Sequence, residues 1–421
     1  MRGHLSPDQT AVIVGTGLAG GNAAVTLREE GWRGRVLMLS HEPGIPFGRP
    51  PLSKTYLRGQ EDLRDWIVRP VEWYRANAVE IRTLVTVKGV NTAMKQVTLE
   101  GGDTVEYDKL VLCTGGRNRR FHVPGAAMPG VYQLRTIEEC DAIRKVAQPG
   151  ARAVIVGMGF IGSEVAASLR QIGLEVTAVL SGRAPLAAVV GDEVGEVMAD
   201  IHRGHGVHLV TEDQAARFEG SDHLERVITA KGVQIDCDIA IVGIGIEPAV
   251  EALVGSQIAL DNGILVDEYC RTSAPDVYAA GDLANHLHPV FGRVRVEHYN
   301  NAEKQGRAAA RTVLGDLRPY DDIHSFWSDQ YEHKLEYVGI ARTWDQIVIR
   351  GSLAKSEFLA FYLAKGVMKA ALGLNRGGDP ELDRDAELRA CQLLIRAGIR
   401  LSAATLADDR VDLWGLAAAA R

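Results

Sequence analysis

The chain has 421 residues, of which 46% are hydrophobic and 24% charged, and its net charge is −7. That length exceeds what one hydrophobic core serves, roughly 250–300 residues, so two or three domains are expected. The acid excess leaves no basic footprint for nucleic acid, no apolar run approaches the roughly 18 residues of a membrane span, and residues 1–10 lack the apolar core of a secretory signal, so a cytoplasmic protein is expected.

The first predicted strand covers residues 11–14 of A-V-I-V-G and is apolar throughout, as a strand covered on both faces requires. It runs into G-T-G-L-A-G at residues 15–20, a helix is predicted over 18–30, and Gly31 stops it before a returning strand at 35–40. In such a turn Gly15 allows the sharp bend, Gly17 lets backbone approach a pyrophosphate, and Gly20 lets helix pack on strand. An acid is expected roughly 20 positions on, where it accepts from ribose hydroxyls; Glu42, beside His41, stands there. Strands are then predicted at 97–99 and 105–112, ending in C-T-G-G at 113–116.

The pentapeptide A-V-I-V-G returns at residues 153–157, followed by G-M-G-F-I-G at 157–162, a predicted helix over 160–172, a stop at Gly173 and a strand at 175–180. Leu27, Arg28 and Gly31 align with Leu169, Arg170 and Gly173, which reads as an internal duplication. Two dinucleotide sites in one polypeptide imply electron passage from one to the other. His202, His205 and His208 fall three apart near a helix end but match no metal-ligand spacing. Strands at 238–243, before V-G-I-G at 242–245, and at 277–280, before Gly281 and Asp282, indicate that the first domain is interrupted by the second and resumes. The expected domains are 1–117 with 243–322, then 118–242, then a C-terminal domain of antiparallel strands at 323–421 with a charged helical part at 379–389. The five cysteines, Cys113, Cys140, Cys237, Cys270 and Cys391, show neither C-x-x-C nor zinc spacing and read as scattered structural thiols.

Further motifs lie in order along the chain: P-F-G-R-P-P-L-S-K at 46–54, T-G-G-R at 114–117, A-A-G-D at 279–282, V-R-V-E-H-Y-N-N-A at 294–302 and F-W-S-D-Q-Y at 326–331. With these the chain resembles the FAD-dependent ferredoxin and rubredoxin reductases of bacterial oxygenase systems, putidaredoxin reductase-like and biphenyl dioxygenase reductase-like proteins of the pyridine nucleotide-disulfide oxidoreductase superfamily. Apoptosis-inducing factor is a more distant relative. The resemblance implies an α/β fold of two Rossmann-like dinucleotide-binding domains, glutathione reductase-like, plus a C-terminal α+β domain.

It also implies site residues. FAD is expected against Gly15, Gly17, Gly20, Glu42, Arg49, Lys54, Thr114, Gly115, Asp282, Glu297 and Trp327, with Lys54 beside the reactive flavin nitrogen, Asp282 on the ribityl chain and Trp327 near the isoalloxazine. Asp282 also reads as a helix N-cap. NADH or NADPH is expected against Gly157, Gly159, Phe160, Ile161, Gly162, Glu164, Ser181, Arg183 and Gly245. Lys54 and Glu164 are the expected catalytic pair, since a buried lysine needs a counter-charge or it tends to deprotonate. Relatives favouring NADH carry an acid at the end of the second strand, where this chain reads V-L-S-G-R at 179–183, so Ser181 and Arg183 leave both nicotinamides open. Two departures stand out: Gly48 replaces a bulkier residue and is expected to loosen the flavin-side loop, and Tyr299 replaces a common tryptophan.

The function implied is transfer of electrons from NAD(P)H through FAD to a ferredoxin-type iron–sulfur protein, or a rubredoxin, serving an oxygenase or cytochrome P450. With no active-site disulfide the flavin must deliver directly. An acidic ferredoxin would need local positive charge, for which Lys304, Arg307 and Arg311 on one helix face are the candidates. An NAD(P)H oxidase, a quinone or small-molecule reductase, and a redox-sensing flavoprotein akin to apoptosis-inducing factor remain open, as do monomer and homodimer. No metal, nucleic-acid or membrane partner is expected.

Overall fold

The computed structural model describes residues 6–420, so the first five residues of the amino-terminal stretch lie outside the description. The chain forms two compact units. One takes the chain up to Arg49, then Leu63–Arg117 and Ile246–Asp322; the other takes Pro50–Asp62, Asn118–Gly245 and the chain from Ile323 onward.

In the first unit five parallel strands lie in the order Val277–Ala279, Lys109–Leu112, Thr10–Val14, Arg35–Leu39, Val79–Arg82. Ala11 and Ile13 are buried on one face, under helices Leu18–Glu29 and Tyr299–Val313, while Val12 and Val14 are buried on the other beneath Val90, Val97 and Val105. This two-sided burial is why the strand is apolar without alternation. The two helices meet closely: a Cβ on Gly306 would stand 2.3 Å from the carbonyl oxygen of Ala19. Gly31 ends the first helix with φ +110°, a value only glycine adopts without strain.

The second unit repeats the plan in parallel strands ordered Val207–Val210, Glu175–Val179, Arg152–Val156, Ile239–Val242, Val131–Tyr132. Helix Phe160–Ile172 ends at Gly173, φ +106°. The C-terminal portion is a five-stranded antiparallel sheet, in the order Ser325–Gln330, His333–Gly339, Val367–Leu374, Glu357–Ala364, Gln346–Ser352, with helix Glu387–Ala397 on it. Residues expected as separate 118–242 and 323–421 domains share this unit because they share a core. Val190, Val194, Met198 and Ile201 are buried with Phe326, Tyr337, Phe358 and Tyr362, and the Tyr362 hydroxyl donates to the Val190 carbonyl at 2.8 Å.

Three local expectations are corrected. Residues 105–112 form two strands, Thr104–Glu106 and Lys109–Leu112. The break arises because Tyr107 N–H bonds to the Lys95 carbonyl while Asp108 N–H bonds to that of Thr10, so the chain leaves one sheet for the other. The charged segment 379–386 is not helical: Asp379 accepts from the amides of Glu381 and Leu382, a local turn, and the helix starts at Glu387. Gly48 does not leave a loose loop, since a Cβ there would meet the Tyr299 ring at 2.6 Å, and that ring packs edge-on against Trp66. The two departures compensate each other. Among the described residues no helix is long and apolar enough to cross a membrane.

Candidate functional site

Each unit builds one glycine turn from the same steric rule. A Cβ on Gly20 would stand 2.0 Å from the Gly15 carbonyl oxygen, and one on Gly162 the same distance from that of Gly157, so only glycine permits either turn. At Gly17 and Gly159 a Cβ would meet nothing within 4 Å. These two cap their helices without any side-chain hydrogen bond, and neither helix has an acid in its first turn. Free N–H groups and the positive end of the helix dipole therefore face open space, which is the arrangement a phosphate requires. The residues present fit a dinucleotide at each turn.

Around the first turn the unit gathers several of the expected residues. A Cβ on Gly15 would meet the carbonyl oxygen of Cys113 at 2.1 Å and the Thr114 nitrogen at 3.1 Å. The Thr114 hydroxyl donates to the Ala249 carbonyl at 2.7 Å, and Gly115 has φ +67°. Gly281, next to Asp282, packs against Ala19 at the start of the helix. Asp282 is not a helix cap, because strands Ala284–His288 and Gly292–Arg295 follow it. Arg295 ties this corner together, donating to the Asp282 carbonyl at 2.9 Å and to Glu297 at 2.6 Å. At the end of the second strand Glu42 and Arg49 are partners of each other at 2.7 Å. The Glu42 amide donates to the Ser40 hydroxyl oxygen at 3.1 Å, which also accepts from the Thr16 hydroxyl at 2.7 Å.

The second unit holds the catalytic candidates. Helix Phe160–Ile172 buries Glu164, whose side chain is 3% exposed, and its Oε2 lies 2.7 Å from Nζ of Lys54, 11% exposed. Ser53 Oγ donates to the same carboxylate oxygen at 2.5 Å and Ser328 Oγ to the other at 2.7 Å. The P-P-L-S-K segment is pinned here by its backbone: Ser168 donates to the Ser53 carbonyl at 2.7 Å and the Cys140 thiol to that of Leu52 at 3.2 Å. Glu164 is thus an interior residue with three donors. A buried ion pair persists only when its remaining lone pairs are satisfied, and here the two serines do so.

Trp327 lies in strand Ser325–Gln330, partly exposed, and bonds to Asp329 two residues on. Burial raises the Asp329 carboxyl above the ordinary aspartate range; the Lys54 ammonium opposes that shift and Glu164 adds to it. The neighbouring Phe326 packs edge-on against Phe160 at 4.8 Å, so the ring of Phe160 joins the two sheets of the unit. Ile161, 48% exposed, lies at the open helix start. The loop of Gly245, φ +93°, runs beneath the turn, where a Cβ on Gly157 would meet the Gly243 carbonyl at 2.5 Å. Ser181 and Arg183 are exposed past strand Glu175–Val179, and Arg183 makes no ion pair with any described residue.

Arg307 donates to Asn22 at 3.0 Å and pairs with Glu303, Arg311 pairs with Glu30 at 2.8 Å, and Lys304 stands 4.0 Å from Asp322. The expected positive face is neutralised by its own neighbours. His202 is fully buried with both ring nitrogens hydrogen-bonded, His205 stacks on Tyr331, and His208 lies in a strand. All five cysteines are buried and free, and burial pushes Cys113, Cys140 and Cys237 up to about 12. Sequence reading missed Ser53, Ser328, Asp329 and Gln330. Each stands inside a quoted motif, but nothing local says that two motifs 270 positions apart meet on one carboxylate.

The family model described as pyridine nucleotide-disulphide oxidoreductase matches residues 9–306, and one described as reductase C-terminal matches 325–417. The chain is 37% identical over 98% of its length to the ferredoxin reductase subunit of the 5,5'-dehydrodivanillate O-demethylase of Sphingobium sp., covering 99% of that protein. It is 33% identical to the putidaredoxin reductase of Pseudomonas putida, over 99% of each. Among solved structures, the covalent putidaredoxin reductase–putidaredoxin complex matches with a TM-score of 0.93 at 33% identity, over 99% of both chains.

Proposed function

The chain belongs to the pyridine nucleotide-disulphide oxidoreductase family, and from that premise we propose that it is a flavoprotein reductase that moves electrons from NADH or NADPH through FAD to a ferredoxin-type iron–sulfur protein serving an oxygenase or cytochrome P450. The observation that carries the reading is the buried Lys54–Glu164 pair, 2.7 Å apart and satisfied by Ser53 and Ser328. A fixed, desolvated ammonium stabilises negative charge developing nearby far more than a solvated one does.

FAD, when bound, supplies the exchange between a two-electron hydride donor and one-electron acceptors. The chain supplies the rest. Gly15–Gly20 backbone would hold one pyrophosphate and Gly157–Gly162 backbone the other, each at an open helix N-terminus. Arg49, Glu42, Thr114, Gly115, Asp282 and Glu297 would hold FAD on the first unit. By the same resemblance Lys54 and Trp327 are assigned to the flavin, and Phe160, Ile161, Glu164, Ser181, Arg183 and Gly245 to the nicotinamide. Glu164 orients the Lys54 ammonium. The buried cysteines support direct delivery from the flavin, because thiols held near 12 supply no thiolate for a dithiol relay at neutral pH.

The relatives' names support the acceptor: one is the ferredoxin reductase subunit of an O-demethylase, and a structural match carries putidaredoxin itself. Their cofactor names span NAD(+) and NAD(P)(+), so the donor is tested directly. The test is an acceptor screen on purified, FAD-loaded protein, with NADH and NADPH each driving reduction of several ferredoxins, a rubredoxin, a quinone and oxygen. Fast ferredoxin reduction with slow oxidation in air supports the reading. Faster transfer to oxygen or quinone replaces it with the oxidase or quinone reductase.

A further inference from the structure

The Ser328 hydroxyl that donates to Glu164 is itself held from behind. Gln330 Nε2 donates to Ser328 Oγ at 3.1 Å, and Gln330 Oε1 lies 3.0 Å from His202 Nε2. An amide oxygen only accepts, so Nε2 carries the ring proton, and Nδ1 must accept from the Tyr331 hydroxyl at 3.0 Å. The donors all point one way: Tyr331 to His202, His202 to Gln330, Gln330 to Ser328, Ser328 to Glu164. Glu164, Ser328, Gln330 and His202 are each at most 3% exposed. At the outer end His205 stacks on Tyr331 with ring centres 3.6 Å apart.

We propose that His202, Gln330 and Ser328 are positioning residues that orient the Glu164 carboxylate and, through it, the Lys54 ammonium, so that groups touching no substrate set the rate of flavin reduction. The inference rests on the functional reading above. Three features carry it. The chain ends on the one oxygen of Glu164 that Lys54 and Ser53 leave to Ser328. Its polarity runs toward an anion, the direction in which successive hydrogen bonds strengthen one another. It contains an amide, which transmits orientation but is a poor proton carrier, so it is a strut and not a proton wire.

The imidazole suits that part, since burial depresses it to about 4 and keeps it neutral over the working range. The titratable groups facing it are Tyr331, kept protonated by burial, and His205, whose charge would disfavour its protonation. Around Lys54 and Glu164 the further charges are Asp329 and, beside Asp329, Arg58 and Lys334.

The test compares Ser328→Ala, Gln330→Met, their double variant and Tyr331→Phe in the full chain. Two quantities are read: the limiting rate of flavin reduction by nicotinamide in FAD-loaded protein, and the Glu164 carboxyl resonance by 13C NMR with and without FAD, assigned with Glu164→Gln. Gln330→Met should slow reduction about tenfold while the nicotinamide concentration for half-maximal rate stays within about twofold. The double variant should be no slower than Ser328→Ala, because one chain is broken once. The Glu164 resonance should move in Gln330→Met, which does not touch Glu164. An unmoved resonance with full rate, or losses that multiply in the double variant, overturns the proposal. Where Gln330→Met fails to fold, Tyr331→Phe decides by the same resonance, moved for and unmoved against. A wild-type flavin that neither nicotinamide reduces overturns the functional reading instead, and the resonance still decides the chain.

Discussion

Lys54 and Glu164, 110 residues apart in sequence, meet at 2.7 Å in the interior of one unit. Glu164 keeps almost no water and Lys54 only a little, so the two side chains depend on each other. Removing one partner of such a pair leaves an uncompensated charge, a loss of about 3–5 kcal/mol at a fully buried site and less where one group keeps some water, as Lys54 does. Glu164→Ala should therefore lower the melting temperature and slow flavin reduction about a hundredfold. Stopped-flow reduction beside a thermal melt separates the two effects. A variant that holds FAD and is reduced at the wild-type rate would remove Glu164 from the chemistry.

The two glycine turns are sterically alike and should fail differently. Adding a methyl at Gly20 or Gly162 drives a Cβ to 2.0 Å from a backbone oxygen, so the helix must shift, at a cost of about 1–3 kcal/mol. Gly20→Ala should lose FAD on purification. Gly162→Ala should keep FAD but need about tenfold more nicotinamide for half-maximal rate. Flavin absorbance per chain and the concentration dependence of reduction check the pair, and equal FAD loss in both would refute the assignment of the turns.

Replacing Arg183 tests the donor. It is exposed and makes no ion pair with any described residue, so its replacement disturbs little else. If it holds a 2′-phosphate, Arg183→Ala should lower kcat/KM for NADPH about tenfold and leave NADH nearly unchanged. A ratio of the two constants that does not move in the variant excludes that role.

His202 gives stability a pH dependence. An exposed imidazole titrates near 6.5, whereas burial holds this one to about 4, so the folded chain binds fewer protons than the unfolded chain between those values. Its contribution is whole above about pH 6.5 and is lost as pH falls toward 4, amounting to about 3 kcal/mol at most. His286 and His298 are depressed in the same way, so the wild type alone cannot isolate it. Denaturant unfolding of His202→Gln against wild type should converge as pH drops from 7 to 4.5. Parallel curves would contradict the assignment.

Arg307 and Arg311 should behave as structural cations. Each is partly exposed and already paired, with Glu303 and Asn22 or with Glu30. Arg311→Ala should cost about 0.2–1 kcal/mol of stability and leave the ferredoxin concentration for half-maximal reduction within about twofold. A large, salt-sensitive loss of ferredoxin reduction would restore them as a docking face.

Much of the fold was legible because it rests on short-range rules. The apolar runs at 11–14 and 153–156 become central parallel strands, and helix 160–172 appears with those bounds, closed by Gly173 in a left-handed conformation. Where a segment changed partners, as at Tyr107 and Asp108, hydrophobic pattern alone could not see the break, because both halves are strands and only their pairing differs. The pairing of Gly48 with Tyr299 was equally invisible: each looked like an isolated departure until the ring filled the space the missing side chain left.

The site divides in the same way. Local sequence determined the two glycine turns, the candidate residues around them and the need of Lys54 for a counter-charge, since turn sterics and ionisation depend on residue type and immediate neighbours. Tertiary structure alone decided that Ser53, Ser328 and Lys54 converge on Glu164, that Gln330 and His202 stand behind Ser328, and that Arg307 and Arg311 face carboxylates of their own unit. Those relations depend on which side chains from distant segments share a small buried volume, and packing sets that volume only once the whole core has closed.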